Sequence, residues 1–242
     1  MEFEINTLSS SYEETIQAPE EKQASDNLKT ERIQGRWYAK NPHYRLSRWQ
    51  MVVKRLFDIT VALVAAVLFS PFILVIALII WLSDFHNPIF SQRRVGLKGK
   101  EFIIYKFRSM RVDSESDGIP RLCEDHDDRI TPVGAFLRSH HLDELPQLWN
   151  VLRGDMSVVG PRPERPYFTN LIIERCPDYY LLFRLRPGLF SEATLYNGYT
   201  ETIEQMITRA EMDLDYLRRY SFMRDIKIIW NTTLSILGGK KF

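Results

Sequence analysis

From Ile59 to Leu82 the chain runs twenty-four residues without a formal charge, interrupted near the middle by Ser70-Pro71. At about 1.5 Å per residue a straight helix of that length reaches roughly 36 Å, enough to cross a hydrocarbon layer about 30 Å thick. Pro71 lacks an N–H and its ring clashes with the carbonyl four residues back, so a helix that passes through it bends. Ser70 offers a hydroxyl to a carbonyl freed by such a bend. Two arrangements fit: a kinked span, or a helix-break-helix hairpin that enters and leaves on one face. Arg36, Lys40, Arg45, Arg48, Lys54 and Arg55 precede the run, and Arg93, Arg94, Lys98 and Lys100 follow it. A span is oriented by an asymmetry of positive charge. Both flanks here are basic, which favours the hairpin. The core helix of a soluble protein remains the third option, and such helices are rarely so long and apolar.

With 32 basic and 31 acidic residues the chain is close to neutral, which gives no ground for a nucleic-acid partner. The cations clustered beside the apolar run suit a surface facing anionic lipid headgroups. Cys123 and Cys176 have neither metal-site nor redox spacing, as expected in a reducing compartment. The acidic, polar N-terminus does not read as a signal peptide.

Residues 1–35 read as a polar tail, and the interleaved aromatics and cations of 35–50 suit the headgroup level or a packed linker equally. Short strands are expected at Pro88–Phe90 and Glu101–Lys106 around a turn at Gly96 and Gly99. The acidic stretch Val112–Asp128 reads as a solvated loop, with a divalent-metal site as the weaker option. A short helix is expected at Ala135–His141. Apolar residues at Leu145, Leu148, Trp149 and Leu152 then predict an amphipathic helix over 142–152, stopped by Gly154. Asp143 and Glu144 fall at its N-terminus, where acids serve as caps and complement the helix dipole; that reading stands beside a catalytic one. Pro161 and Pro163 stiffen the backbone on both sides of Arg162, which suits either a phosphate grip or a structural ion pair. Arg186-Pro187-Gly188 presents another rigid cation. Glu201–Tyr220 and Phe222–Leu237 read as helices, the second with an apolar stripe fit for a membrane interface or for the core.

Six motifs follow one another in order: Lys54-Arg55-Leu56-Phe57-Asp58, Ser70-Pro71, Arg94-Val95-Gly96, Tyr105-Lys106-Phe107-Arg108-Ser109-Met110, Leu142-Asp143-Glu144-Leu145-Pro146-Gln147 and Val159-Gly160-Pro161-Arg162-Pro163. Together they resemble the monotopic phosphoglycosyl transferases of bacteria, the undecaprenyl-phosphate sugar phosphotransferases, over roughly Met51 to Leu237. The resemblance implies an α+β fold. A polar N-terminal tail (1–50) would precede a re-entrant membrane hairpin (51–83) broken at Ser70 and Pro71, a mainly helical catalytic domain with short strands (84–205), and C-terminal amphipathic helices (206–242).

It also implies transfer of a sugar 1-phosphate from a nucleoside diphosphate sugar, expected to be a UDP-sugar, to a polyprenol phosphate, expected to be undecaprenyl phosphate. Asp143 would be the nucleophile, with Glu144 as metal ligand or base. Asp143 and Glu144 would hold Mg2+, and Arg138, Arg162, Arg186, Arg94 and Arg108 would bind substrate phosphate. Free N–H groups of the helix beneath Asp143 would face the phosphoryl group. Membrane lipids are the other expected partner, homo-oligomerisation is left open, and the expected place is the cytoplasmic face of the bacterial inner membrane.

The sequence departs from that family at His140 and His141, where small hydroxyl residues are usual, and after Gly188, where sugar specificity is affected more than catalysis. The alternatives are a catalytically silent membrane-anchored scaffold of a polysaccharide assembly complex and a phosphatase acting through an aspartyl phosphate.

Overall fold

A computed structural model of the chain describes residues 30–33, 36–39 and 46–238, apart from 116, 117, 119, 124–126, 199 and 201. Two compact units result, Met1–Asn41 and Pro42–Phe242. In the first, β1 (Thr30–Ile33) and β2 (Arg36–Ala39) pair antiparallel with Thr30 opposite Ala39. Residues 30–33 thus form a short strand within the expected polar tail. The rest of the expected tail, and Lys40 to Arg45 of the aromatic and basic stretch, lie outside the described residues.

The second unit is α+β and mostly helical. It opens with α1 (Arg48–Asp84), started by a reciprocal pair in which the Ser47 hydroxyl accepts the Gln50 N–H and the Gln50 side chain accepts the Ser47 N–H. The helix is continuous through Pro71, so the helical path is not interrupted where the sequence predicts a break. Ser70 does donate to the Val67 carbonyl at 2.8 Å, as its place before the proline predicts. Leu63, Val64, Val67, Leu68, Phe72 and Leu74 around this point are each more than half exposed.

The start of α1 is held by polar contacts, and its end by apolar packing together with the Arg108–Asp84 ion pair. Near the start, the Lys54 ammonium donates to Asp225 at 2.6 Å, and the Arg55 guanidinium donates to the Val151 and Leu152 carbonyls at 2.7 and 2.9 Å. Asp58 accepts from the Ser157 hydroxyl and the Val158 N–H, both at 2.9 Å. Near the end, Ile73, Ile76, Ala77 and Ile80 pack with Phe107, Leu137, Leu142 and Leu145.

β3 (Ile89–Val95) and β4 (Glu101–Phe107) form an antiparallel ribbon that extends the expected first strand to include Arg93 and Arg94. α2 (Pro132–Ser139) is capped by Thr131; at Gly134 a Cβ would fall 1.9 Å from the Ser109 carbonyl oxygen, so only glycine permits that approach. A 3-10 turn, Leu142–Glu144, runs into α3 (Gln147–Arg153), which Gly154 ends at φ 96°. The single helix expected over 142–152 thus has a tightened first turn.

β5 (Ser157–Val159) pairs parallel with β6 (Gly188–Phe190). α4 (Pro166–Arg175) and a 3-10 segment (Pro177–Arg184) lie between them in sequence, and α5 (Glu192–Asn197), α6 (Ile203–Arg218) and α7 (Phe222–Leu237) follow. Val151, Met156, Val158, Ile172, Leu181, Met206 and Tyr216 are buried core residues.

Candidate active site

The turn that begins at His141 is built from i to i+3 bonds. Glu144 N–H reaches the His141 carbonyl and Leu145 N–H the Leu142 carbonyl, both at 3.3 Å; Leu148 and Trp149 repeat the pattern onto Leu145 and Pro146 at 3.1 Å. Pro146, without an N–H, loses nothing by this. These four N–H groups are spent on the turn itself, so they do not serve as the free donors expected beneath Asp143. Nor does Asp143 cap the helix: Pro146 holds that position, with no side-chain bond. His141 takes a left-handed conformation at φ 53°, uncommon outside glycine, and turns the chain so that Asp143 and Glu144 both point inward and are buried.

Two cations meet Glu144. Lys106 on β4 donates to its Oε1 at 2.7 Å, and the Arg162 guanidinium donates to the same oxygen at 2.9 Å. Burial alone would raise the Glu144 carboxyl, yet Lys106 and Arg162 outweigh it and hold the group well below the usual range. Asp143 has the reverse balance. Burial pushes it up, to about 6, against the pull of Lys106 and with a further push from the negative Glu144. Its Oδ1 is buried without a hydrogen-bond partner, and so is the Nε2 of Gln147, one turn on. A carboxylate oxygen left without a donor is costly in a fold and available to an incoming group.

Arg162 is fixed from behind. Its own N–H, the only one in Pro161-Arg162-Pro163, donates to Asp213 on α6 at 3.1 Å. Burial pushes that carboxyl up to about 7. Next along, Glu164 pairs with Arg209, one turn before Asp213 on the same helix, and with Arg94 at 3.5 Å. At Gly160 a Cβ would lie 2.5 Å from the Arg186 carbonyl oxygen, so the strand leading to this arm can pass β6 only as glycine.

The other expected arginines fall at different distances from the carboxylates. Arg138 and Arg162 both act electrostatically on Asp143, and Arg138 also contacts the Cys123 sulfur at 3.1 Å. Arg94 lies behind Arg162, donating to the Pro163 carbonyl at 3.1 Å. Arg108 is engaged with Asp84 at the end of α1, and Arg186 donates to the Gly154 carbonyl at 2.8 Å, at the opposite end of α3 from Asp143. Sequence reasoning passed over Lys106, Gln147 and Asp213. Lys106 and Gln147 sit inside motifs already noted, but Lys106 is accounted for by a strand, Gln147 by a helix, and Asp213 by a charged helix face.

His141 also faces this cluster. Burial, reinforced by Arg162, Lys106 and Arg138, lowers its pKa despite the opposing Glu144, which favours the neutral ring. Among the described residues no group of three His, Cys, Asp or Glu side chains is placed to hold a metal ion. The acidic stretch over 112–128 falls partly outside the described residues; within it Glu115 accepts a two-pronged bond from Arg165 at 2.7 and 3.0 Å.

Comparison with known proteins bears on the whole of this region. The family model for bacterial sugar transferases matches residues 49–239. A UDP-glucose:undecaprenyl-phosphate glucose-1-phosphate transferase of Caulobacter vibrioides is 41% identical over 186 residues, 76% of this chain and 69% of the relative. A UDP-N-acetylgalactosamine-undecaprenyl-phosphate N-acetylgalactosaminephosphotransferase of Aeromonas hydrophila is 39% identical over 187 residues, 77% of this chain and 44% of its own length. The exopolysaccharide production protein PSS of Rhizobium leguminosarum is 39% identical over 199 residues, 79% of this chain and 99% of its own. The chain thus spans less than half the length of some relatives and nearly all of another. The match takes in α1, the buried carboxylates and the arginine arm, and on that extent the chain belongs to the bacterial sugar transferase family.

Proposed function

We propose that this protein transfers a sugar 1-phosphate from a UDP-sugar to undecaprenyl phosphate, releasing UMP, at the start of a glycan or exopolysaccharide assembly. The observation that carries the reading is Asp143 Oδ1, a buried carboxylate oxygen with no donor, set beside Lys106, Glu144 and Arg162 within the span matched by the family. The names of the relatives supply the substrates.

In the first step an oxygen of Asp143 attacks the phosphorus that carries the sugar. An O–P bond forms, the bond from that phosphorus to the bridging oxygen breaks, and UMP leaves with the electron pair. With a second pKa near about 6, UMP needs little protonation to depart. In the second step a phosphate oxygen of the lipid attacks the same phosphorus, and the Asp143–phosphorus bond breaks to restore the carboxylate. Arg162 and Lys106 offset the charge gathered as an anion approaches a diphosphate.

Magnesium fits this site in a limited way. It binds through one or two carboxylates together with substrate phosphate oxygens, and the unpartnered Asp143 oxygen and the second oxygen of Glu144 are the groups that would hold it. When bound it would polarise a phosphoryl oxygen.

The membrane reading rests on α1. A straight helix would separate Arg55 from Ile80 by about 38 Å. Val151, which accepts from Arg55, and Leu145, packed against the cluster that holds Ile80, lie only six residues apart on one helical stretch, about 9 Å of rise. A helix that returns to the same small domain after an exposed apolar middle is suited to dip into one leaflet from the cytoplasmic face. Met223, Ile226, Trp230 and Leu234 on α7 are exposed and suit the same surface. Asp143 would then lie at headgroup depth, where a lipid-borne phosphate and a water-borne donor can both reach it.

The test is UMP release by the detergent-purified chain from a panel of UDP-sugars with undecaprenyl phosphate, with mass spectrometry for a phosphosugar on Asp143. Asp143→Asn should abolish both. Release unchanged in that variant would remove the assignment.

A further inference from the structure

Gln147 is almost fully buried, at 2% exposure, yet its Nε2 has no hydrogen-bond partner. An amide N–H donor in such a place gives up its water without gaining a partner, which destabilises the fold. The backbone between it and Asp143 stays helical, with Leu145 at φ −52°, ψ −38° and Pro146 at φ −61°, ψ −18°. The i to i+3 bonds of this stretch put Gln147 about one turn beyond Asp143 and Glu144. This turn therefore carries an unsatisfied acceptor and an unsatisfied donor about one turn apart, with the Lys106 and Arg162 cations on Glu144 between them in sequence.

We infer that Gln147 is a further catalytic residue, whose amide donates a hydrogen bond to an oxygen of the phosphoryl group while that group is passed to and from Asp143. One tetrahedral phosphoryl group answers both deficits, since it bonds Asp143 through phosphorus and offers Gln147 an oxygen. A neutral donor is apt there. It strengthens as negative charge develops on the phosphoryl oxygens, and it adds no second cation to pair with the Asp143 carboxylate before substrate arrives. The inference rests on the proposed role of Asp143.

A packing role and a catalytic role move stability and activity differently. Gln147→Met keeps the length of the side chain and removes the unsatisfied amide. Its melting temperature should equal or exceed that of the parent protein by about 2–4 °C, while kcat for UMP release from UDP-glucose or UDP-N-acetylgalactosamine falls about a hundredfold with little change in KM. Gln147→Glu keeps the shape, replaces the donor by an acceptor, and should lose at least as much kcat. If both variants keep kcat within about threefold of the parent, or if both lose melting temperature in step with activity, the inference is overturned. Asp143→Asn, run alongside, separates the two layers. Activity retained there removes the nucleophile and the inference with it, whereas activity lost there but kept in both Gln147 variants removes Gln147 alone.

Discussion

Two buried clusters in this molecule are made of the same parts and are finished differently. At the start of α1, Asp225 is completely buried with each oxygen engaged: Lys54 donates to one at 2.6 Å and the Tyr216 hydroxyl to the other at 2.6 Å. Around α3, Lys106 and Arg162 converge on a single oxygen of Glu144, while the adjacent Asp143 keeps an oxygen with no donor. The first cluster is closed and pins the long apolar helix α1 to α7. The second is left incomplete beside concentrated positive charge, a state that costs stability and suits an arriving phosphoryl group. On the proposed function, saturation of hydrogen-bonding capacity, more than burial or charge, separates an anchor from a reaction site.

Asp143→Asn should break the difference most visibly. UMP release should fall by about three orders of magnitude or more, and the protein should become more resistant to heat at neutral pH. The sign follows from linkage. In the folded protein Asp143 titrates near 6, above its ordinary 3.8, so the folded state binds more protons than the unfolded one between those values. Stability therefore falls as pH rises through that window, and the penalty is complete above about 6. Under the proposed mechanism activity runs the other way, because there only the carboxylate attacks. A parent protein that loses UMP release as pH drops below about 6 while gaining melting temperature, set against an Asn variant lacking that gain, would establish the trade.

The closed cluster predicts the opposite pattern. Lys54→Met leaves the Asp225 carboxylate buried with one partner gone, which should cost about 3–5 kcal/mol. Specific activity per folded molecule should stay near the parent value, as measured by denaturant melts with UMP release corrected for the folded fraction. Lys106→Met at the open cluster should fall between these cases. It leaves the Glu144 oxygen to Arg162 alone and removes a cation from the Asp143 neighbourhood, so the Asp143 carboxyl should titrate higher and the acid limb of activity should move to higher pH.

Much of this was legible before any coordinates. The uncharged run with Ser70-Pro71, the strand pair around Gly96 and the amphipathic stretch from Leu145 are local patterns, written in one segment at a time. Asp143 and Glu144 stood out through the order of several motifs, because a local pattern alone also allows a helix cap. What the sequence hid is relational. Asp213 and Arg209 sit on a helix rich in both charges, which reads as solvated. Their burial comes from packing against Glu164 and the Arg162 arm, some fifty residues earlier in the chain. Arg186, a rigid cation by its own turn, is taken up by the Gly154 carbonyl at the far end of α3. The unpartnered oxygen of Asp143 is likewise a property of everything around it.

An exposed pair provides the third term of the comparison, and the smallest effect. Arg93 and Glu101 approach to 3.8 Å across the β3–β4 ribbon, with side chains 76% and 48% exposed. Water competes for both groups and salt screens what attraction remains, so Arg93→Gln should change stability by less than about 0.5 kcal/mol. UMP release should stay within about twofold of the parent. Because Arg93 also lies in the basic stretch after α1, binding to anionic vesicles should weaken by about 1 kcal/mol if that strand faces headgroups. Melting and vesicle sedimentation at two salt concentrations separate the terms, and a large loss of stability here would show that charge pairing holds this fold together even without burial.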